Sequence, residues 1–378
     1  MHARKRRIHH DKEVMTRLLA TAGVTVNGSN PWDIKVKDDR VYSALLRQGS
    51  LGLGESYMDG WWDCEQVDQF IARLISANLE NCVRRNKSFL FRTLLGRFVN
   101  FQDRKGSLVV GKVHYDISPD LYQKMLDPEM NYSCGYWKDA GSLAEAQRAK
   151  LELSCRKLKL EPGMRVLDIG CGFGAFAKYA AQNYKVSVVG VTISRQQAAW
   201  AQRACAGLPV EIRFQDYRDV AERFDRVISI GMFEHVGEKN YRKYMETVHR
   251  NLCDGGLFLL HTIGTSQERS STDAWVNKYI FPNSALPSAT EIPTACAGKF
   301  VLEDWHNLGG DYVRTLRAWY KNFTGQWNTI KQHYDDRFFR MWTYYLSAFM
   351  GSFQARHIQV WQVVLSKNYR NREYIPVR

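Results

Sequence analysis

The run Val166-Leu167-Asp168-Ile169-Gly170-Cys171-Gly172-Phe173-Gly174 joins a short apolar segment to a turn with three glycines in five residues. The apolar part predicts a strand over 164–169, and Ala175 to Gln182 carries a helical pattern. Glycines at a strand–turn–helix junction let a ligand approach the backbone closely, with N–H groups of the helix N-terminus pointing at it. Downstream, strands are expected at Val186–Val191, Val210–Phe214, Phe224–Ile230 and Gly256–His261, with helices at Arg195–Ala204 and Tyr241–Leu252. A long aromatic helix, Asp336–Phe353, precedes a late strand at His357–Ser366. Alternation of strands and helices through short loops predicts an α/β fold with a doubly wound, mostly parallel sheet. Upstream the pattern is helical at Val14–Ala22, Val41–Gln48 and Gln66–Leu79, broken by glycine-rich turns, notably Gly49 to Gly54. The expected division is a helical domain over 1–100, a linker over 101–112, and the α/β domain over 113–378.

Which nucleotide the turn holds follows from its neighbours. Gly170-x-Gly172-x-x-Ala175 satisfies the dinucleotide fingerprint, a weak signal by itself. Asp168, just before the glycines, would repel a pyrophosphate but suits the ammonium of a methionine moiety. A dinucleotide site also wants an acid at the end of the second strand for ribose hydroxyls, and here that strand ends Gly190-Val191-Thr192-Ile193-Ser194. S-adenosylmethionine is therefore favoured over NAD, with Thr192 and Gln197 as neutral ribose contacts. Ligands of open α/β sheets bind beyond the carboxyl ends of the strands. Glu234 follows the Phe224–Ile230 strand and His261 ends the next, so both are expected near the reactive end of the cofactor.

The 378 residues allow one large and one smaller core, and 45% hydrophobic content marks a folded chain. No apolar run approaches the roughly 18–20 residues that span a bilayer. Met1 to His10 is basic without the apolar stretch of a signal peptide, so a cytoplasmic protein is expected. The eight cysteines form no CxxC pair, and no Cys/His spacing suggests a metal site. A formal net charge of +14 suggests an anionic partner. Nothing resembles the Asn/Asp-Pro-Pro-aromatic string of base-flipping methyltransferases, so no nucleic-acid partner is expected and an anionic membrane surface is preferred. The amphipathic segment Ser88–Gln102, ringed by Arg84, Arg85, Lys87, Arg92, Arg97, Arg104 and Lys105, reads equally as an interfacial helix or as an ordinary half-buried one.

Longer motifs carry a resemblance from about Leu18 to Leu365: GSLGLGESYMDGWW (49–62), VGKVHYDISPDLYQKMLDPEMNYSCGYW (110–137), RVLDIGCGFG (165–174), VVGVTIS (188–194), QDYRD (215–219), GMFEHVG (231–237), LLHTIG (259–264), NKYIFPN (277–283), EDWHN (303–307) and IQVWQ (358–362). The chain resembles the bacterial cyclopropane-fatty-acyl-phospholipid synthases. The resemblance implies a homodimer, peripheral on the inner face of the membrane, with a small helical lipid-binding domain and a class I, Rossmann-like methyltransferase domain. It implies S-adenosylmethionine bound by Tyr132, Ser133, Asp168, Gly170, Gly172, Gly174, Thr192, Ile193, Gln197, Gln215 and Asp216. It implies a bicarbonate ion held by Cys134, Glu234, His261, Tyr312 and the backbone of Ile263.

The chemistry implied is attack of an alkene of an unsaturated phospholipid on the sulfonium methyl, then loss of a proton from that methyl and ring closure. Such a site needs alignment, dryness and negative charge near a cation, with bicarbonate as proton acceptor. The aromatic segments 319–327 and 338–353 are expected to be mostly core, with some residues lining an acyl channel. Other outcomes are methyl-branched or methoxy chains, or a non-catalytic lipid-binding protein. The chain departs from its relatives at Phe173, at Ala175-Phe176, and at Phe349, where relatives can carry a cysteine; the chemistry needs no thiol there.

Overall fold

The computed structural model describes residues 2–78, 119–267, 273–368 and 373–378, the first few, up to residue 8, by backbone alone. The segment 84–105 singled out above and Cys82 lie outside the described residues. The chain divides into two compact units: residues 1–101, 271–282 and 316–358 form one, and residues 102–270, 283–315 and 359–378 the other.

Among its described residues, the regular elements of the first unit are helices apart from a two-residue antiparallel pair, β1 (Lys35–Val36) and β2 (Trp62–Asp63). Its core holds Tyr42, Trp62, Phe70, Trp275, Trp319, Phe323 and Trp342, all buried. The sequence predicts a turn over Gly49–Gly54, yet Ser50–Met58 is a helix. The glycines serve close packing. A Cβ on Gly52 would lie 2.2 Å from the Ala44 carbonyl oxygen, and one on Gly54 would lie 2.3 Å from the Trp275 ring. Only residues without a side chain let this helix pass those neighbours, so the composition of a turn stands in a helix. The unit also includes residues that the sequence groups with the α/β domain. The helix Asp336–Gln354 packs on Val67–Ser76 and Ser50–Met58 of the N-terminal part. Within it Phe349 lies against Tyr345 and Phe281, at ring distances of 5.0 and 6.0 Å.

The second unit is built on a seven-stranded sheet. Its strands are β3 (Arg165–Ile169), β4 (Ser187–Thr192), β5 (Val210–Phe214), β6 (Phe224–Ile230), β7 (Leu252–Gly264), β8 (Val301–Asn307) and β9 (Gln359–Ser366), in spatial order β5-β4-β3-β6-β7-β9-β8. The first five in that order are parallel, and β9 is antiparallel to both β7 and β8. Helices cover both faces. Val166, Val188, Ile228, Leu257, Leu259 and Val364 pack with residues of Leu143–Lys157, Ala175–Tyr184 and Arg195–Ala204. Leu167, Val189, Val227, Phe258, Leu260 and Val363 pack with Tyr244, Met245 and Val248 of Tyr241–Asn251 on the other. Burial on both faces is why these strands read as unbroken apolar runs. Each fully buried Val or Leu contributes about 1.5–3 kcal/mol.

Of the seven strands of this sheet, β8 is the one the sequence does not reveal. Val301-Leu-Glu-Asp-Trp-His-Asn307 is polar and its first two residues are exposed, as an edge strand allows. Among the described residues no helix is long and apolar enough to cross a membrane, and no cluster of three His, Cys, Asp or Glu could hold a metal ion.

Candidate active site

The glycine turn leaves β3 at Ile169, and Gly170, Gly172 and Gly174 adopt φ of 79°, 54° and 87°. The N–H groups of Gly170 and Cys171 both donate to the Val191 carbonyl, at 2.9 and 3.1 Å, clamping the turn to the end of β4. Gly170 lies so close to Met232 that a Cβ would sit 2.9 Å from its side chain. Nothing stands within 4 Å of where a Cβ on Gly172 would be, so the backbone there is open to a ligand. Phe173 packs between Tyr122 and Trp200, at ring distances of 5.8 and 5.9 Å.

Asp168, only 2% exposed, is on β3 just before the turn. Burial raises its carboxyl to about 7, against the opposing charge of Lys150. Lys150 itself is buried, on the helix Leu143–Lys157. Its Nζ donates to Asn131 Oδ1 at 2.8 Å and to Ser133 Oγ at 3.1 Å. Burial lowers its pKa to about 8, while Asp127, Cys134 and Asp168 oppose that fall. The Ser133 carbonyl accepts from Gln147 Nε2 at 2.7 Å. The 131–134 segment is thus tied to one helix by buried polar side chains, with Tyr132 edge-on to Tyr122 at 5.2 Å.

At the end of β4, the Thr192 hydroxyl donates to Gln197 Oε1 at 3.1 Å and accepts the Ser194 N–H at 3.1 Å. Ser194 caps the helix Arg195–Ala204 through the Gln197 N–H. Ile193 lies half-buried between them. The Gln215 N–H donates to the Thr192 carbonyl at 3.0 Å, which brings the end of β5 alongside. The Asp216 carboxylate accepts from Arg218 N and Nε, both at 2.9 Å.

A second group lies at the ends of β6 and β7. Gly231 N–H donates to the His261 carbonyl at 2.8 Å. The chain then turns through a short 3-10 helix, Phe233–His235, that carries Glu234. Glu234 Oε1 accepts the Ile263 N–H at 2.7 Å. Its other oxygen, Oε2, is buried without a protein partner. Burial raises the Glu234 carboxyl to about 7, although the Ile263 N–H opposes this. His261 is 2% exposed. Burial, then Lys150, Lys157 and His306, push its pKa down to about 3, so the imidazole is neutral. Its Nδ1 faces Gln362 Nε2 at 3.4 Å, and its Nε2 is buried without a partner. Cys134 is fully buried, and burial holds its thiol well above the usual range. Its Sγ lies 3.8 Å from the Leu308 carbonyl, at the start of the helix that carries Tyr312. Tyr312 is 8% exposed.

The fold places Asp168, Gly170, Gly172, Gly174, Thr192, Ile193, Gln215, Asp216, Glu234 and His261 at or just beyond the carboxyl ends of the parallel strands, while Tyr132, Ser133 and Cys134 come from a loop and Tyr312 from the helix Gly309–Ile330. Lys150 acts electrostatically on Asp168, Cys134 and His261 alike. Sequence reasoning missed Lys150, Asn131, Gln147 and Ser154. Gln362 had a visible signal: it is the one amide in the run Val360-Trp-Gln-Val-Val-Leu365.

The model of the family described as mycolic acid cyclopropane synthetase matches residues 102–363. The cyclopropane-fatty-acyl-phospholipid synthase of Escherichia coli (strain K12) is 53% identical over 358 residues, which is 95% of this chain and 94% of that protein. The cyclopropane synthase MmaA2 from Mycobacterium tuberculosis is 31% identical, with a TM-score of 0.64, covering 68% of this chain and 96% of its own. Mycolic acid cyclopropane synthase CmaA1, solved with SAH and CTAB, is 31% identical, with the same TM-score of 0.64 and coverage of 69% and 98%.

Proposed function

From the premise that this chain belongs to the mycolic acid cyclopropane synthetase family and is an S-adenosylmethionine-dependent methyltransferase, we propose that it forms cyclopropane rings on the cis double bonds of unsaturated phospholipid acyl chains. We also propose that bicarbonate sits beside the transferred methyl. One observation carries the anion site: Glu234 Oε2 and His261 Nε2 are buried polar atoms without protein partners. Such atoms each cost about 1–3 kcal/mol when left unpaired, so a small polar guest is the natural occupant.

The residues fit that guest. The neutral His261 imidazole can donate one hydrogen bond without adding charge beside a developing cation. Glu234, anchored by the Ile263 N–H, can accept the hydroxyl of the ion through Oε2. Tyr312 is proposed as a further donor, and Cys134, whose thiol lies 3.1 Å from the Gly135 carbonyl, as a residue lining the ion. S-adenosylmethionine, when bound, supplies the electrophilic methyl that becomes the ring carbon. Bicarbonate, when bound, supplies a proton acceptor that needs no side chain of high basicity. Asp168 and the open backbone at Gly172 hold and orient the cofactor, with Tyr132, Ser133, Gly170, Gly174, Thr192, Ile193, Gln197, Gln215 and Asp216 completing its cradle. Burial of Asp168, Glu234 and His261 keeps the site dry, where oriented charges act more strongly than in water.

Access to a membrane lipid is proposed to run through the N-terminal helical region as a lipid-binding domain, in a homodimer docked on the anionic inner face of the membrane. The +14 net charge supports that attraction. Aromatic residues of 319–327 and 338–353 are proposed to line part of the acyl channel; Trp319, Phe323 and Trp342 are already core.

The test is incubation with labelled S-adenosylmethionine and vesicles of monounsaturated phospholipid, followed by analysis of fatty-acid methyl esters. Gain of one CH2 with loss of the double bond is expected. Equal labelling of saturated chains would overturn the alkene chemistry, and methyl-branched or methoxy products would replace ring closure.

A further inference from the structure

His261 and Gln362 are direct partners across the β7–β9 pair. By strand alternation both point to the face of Leu257, Leu259 and Val364, which packs on Leu151 and Cys155 of the helix Leu143–Lys157. There Gln362 Nε2 lies 3.2 Å from Ser154 Oγ and 3.4 Å from His261 Nδ1. Ser154, Gln362 and His261 are all buried.

The hydrogens of this chain can be assigned from one end. The Ser154 hydroxyl has a single proton, and it is donated to the Lys150 carbonyl at 2.8 Å. Toward Gln362 the hydroxyl can therefore only accept, so the amide nitrogen must face it. Reversing the amide would bring its oxygen to the Ser154 hydroxyl and pull that proton away from the Lys150 carbonyl; in the orientation found, Gln362 Oε1 is a buried atom without a partner. An amide nitrogen only donates, and its second hydrogen is the one within reach of His261 Nδ1, 3.4 Å away. That ring nitrogen must then be the acceptor. In a neutral imidazole the single N–H is left on Nε2, the atom without a protein partner.

We infer that Gln362, oriented by Ser154, is a positioning residue that fixes His261 as the Nε2–H tautomer, aiming a hydrogen-bond donor at the anion beside the transferred methyl. The part concerning the anion rests on the bicarbonate reading above; the tautomer does not. The arrangement resembles in logic the outer partners that set the tautomer of a metal-bound histidine. Here the partner is an amide donor, so the imidazole stays neutral and its N–H faces the guest.

The experiment uses the full chain with 15N-labelled histidine. His261 is assigned by difference from a His261→Asn sample, and the ring nitrogens are read by NMR. Wild-type protein should show Nδ1 unprotonated and Nε2 protonated. Gln362→Glu replaces the donor by an acceptor, so Nδ1 should become protonated. Its kcat should fall about tenfold or more, the usual scale for such partners, while affinity for S-adenosylmethionine is unchanged. Gln362→Met, of similar volume, should lose part of the kcat and show a mixed tautomer. A wild-type spectrum with Nδ1 protonated overturns the inference, and so does a Gln362→Glu enzyme with normal kcat. If neither variant folds, the wild-type spectrum decides. Turnover of the wild-type enzyme in carbonate-free buffer, with and without added bicarbonate, tests the underlying reading separately. Indifference to bicarbonate alongside the Nε2–H tautomer would remove the anion and leave the tautomer assignment standing.

Discussion

Glu234→Gln should make the protein more stable and nearly inactive, and the stabilisation should appear only as pH rises. The glutamine side chain can keep the bond to the Ile263 N–H through its oxygen, so the local fold is retained. What it removes is the cost of ionising a buried carboxyl, whose pKa burial raises from 4.5 to about 7. For an acid whose folded pKa lies above its unfolded one, nothing is lost below the unfolded value. Between the two values the unfolded chain is ionised and the folded one is not, so stability falls as pH rises. Above about 7 the penalty is constant. A difference of roughly 2.5 units is worth about 3 kcal/mol, and the group is buried enough for that figure not to be screened away. Urea unfolding of the ligand-free protein should therefore show the variant gaining about 2–3 kcal/mol on the wild type between pH 5 and pH 8. Turnover should fall about 100-fold, the scale for loss of one oriented hydrogen-bonding group in a dry site, with affinity for S-adenosylmethionine unchanged. A stability difference that does not vary with pH would refute the buried-carboxyl argument. Normal kcat would remove Glu234 from the catalytic set.

Other outcomes can be checked independently. Asp168 is raised to about 7 by burial, and a bound ammonium favours its ionised form. Binding should thus release a proton below pH 7, with affinity for S-adenosylmethionine rising up to about pH 7 and then levelling. Calorimetry in two buffers of different ionisation enthalpy would detect this, and Asp168→Asn should abolish the slope. Lys157, buried, pairs with Asp304 at 2.9 Å. Although burial would raise Asp304, Arg378 and Lys157 hold it below the usual carboxylate range. Asp304→Leu would leave the ammonium without its carboxylate, with only His306 Nδ1 at 3.2 Å beside it, and should cost about 3 kcal/mol in urea unfolding. Replacing Arg84, Arg85, Lys87 and Arg92 with Gln should weaken binding to anionic vesicles by up to about 4 kcal/mol at low salt. Sedimentation at two salt concentrations tests this, and unchanged binding would move the membrane face elsewhere.

Local pattern alone was enough for the parallel strands of the α/β core. The strand–helix alternation from 164 onward depends on residues a few positions apart, and the sheet found runs through Arg165–Ile169, Ser187–Thr192, Val210–Phe214 and Phe224–Ile230 as expected. The glycine turn was legible because left-handed backbone at Gly170 and Gly172 has few chemical solutions. The placement of Glu234 and His261 beside strand ends was legible because position at a strand end is itself a local property. Tertiary structure decided the rest. Gly52 and Gly54 look like turn residues until Ala44 and Trp275 are placed against them. β8 has no apolar signal because only β9 pairs with it, and its outer residues stay exposed. The helix Asp336–Gln354 joins the N-terminal unit across nearly three hundred residues of chain. Lys150, Ser154 and Gln362 are ordinary polar residues in the sequence. They become determinants of charge and proton position only when a helix and an antiparallel strand bury them against β7, because an unpaired polar group gains its consequence from the loss of water.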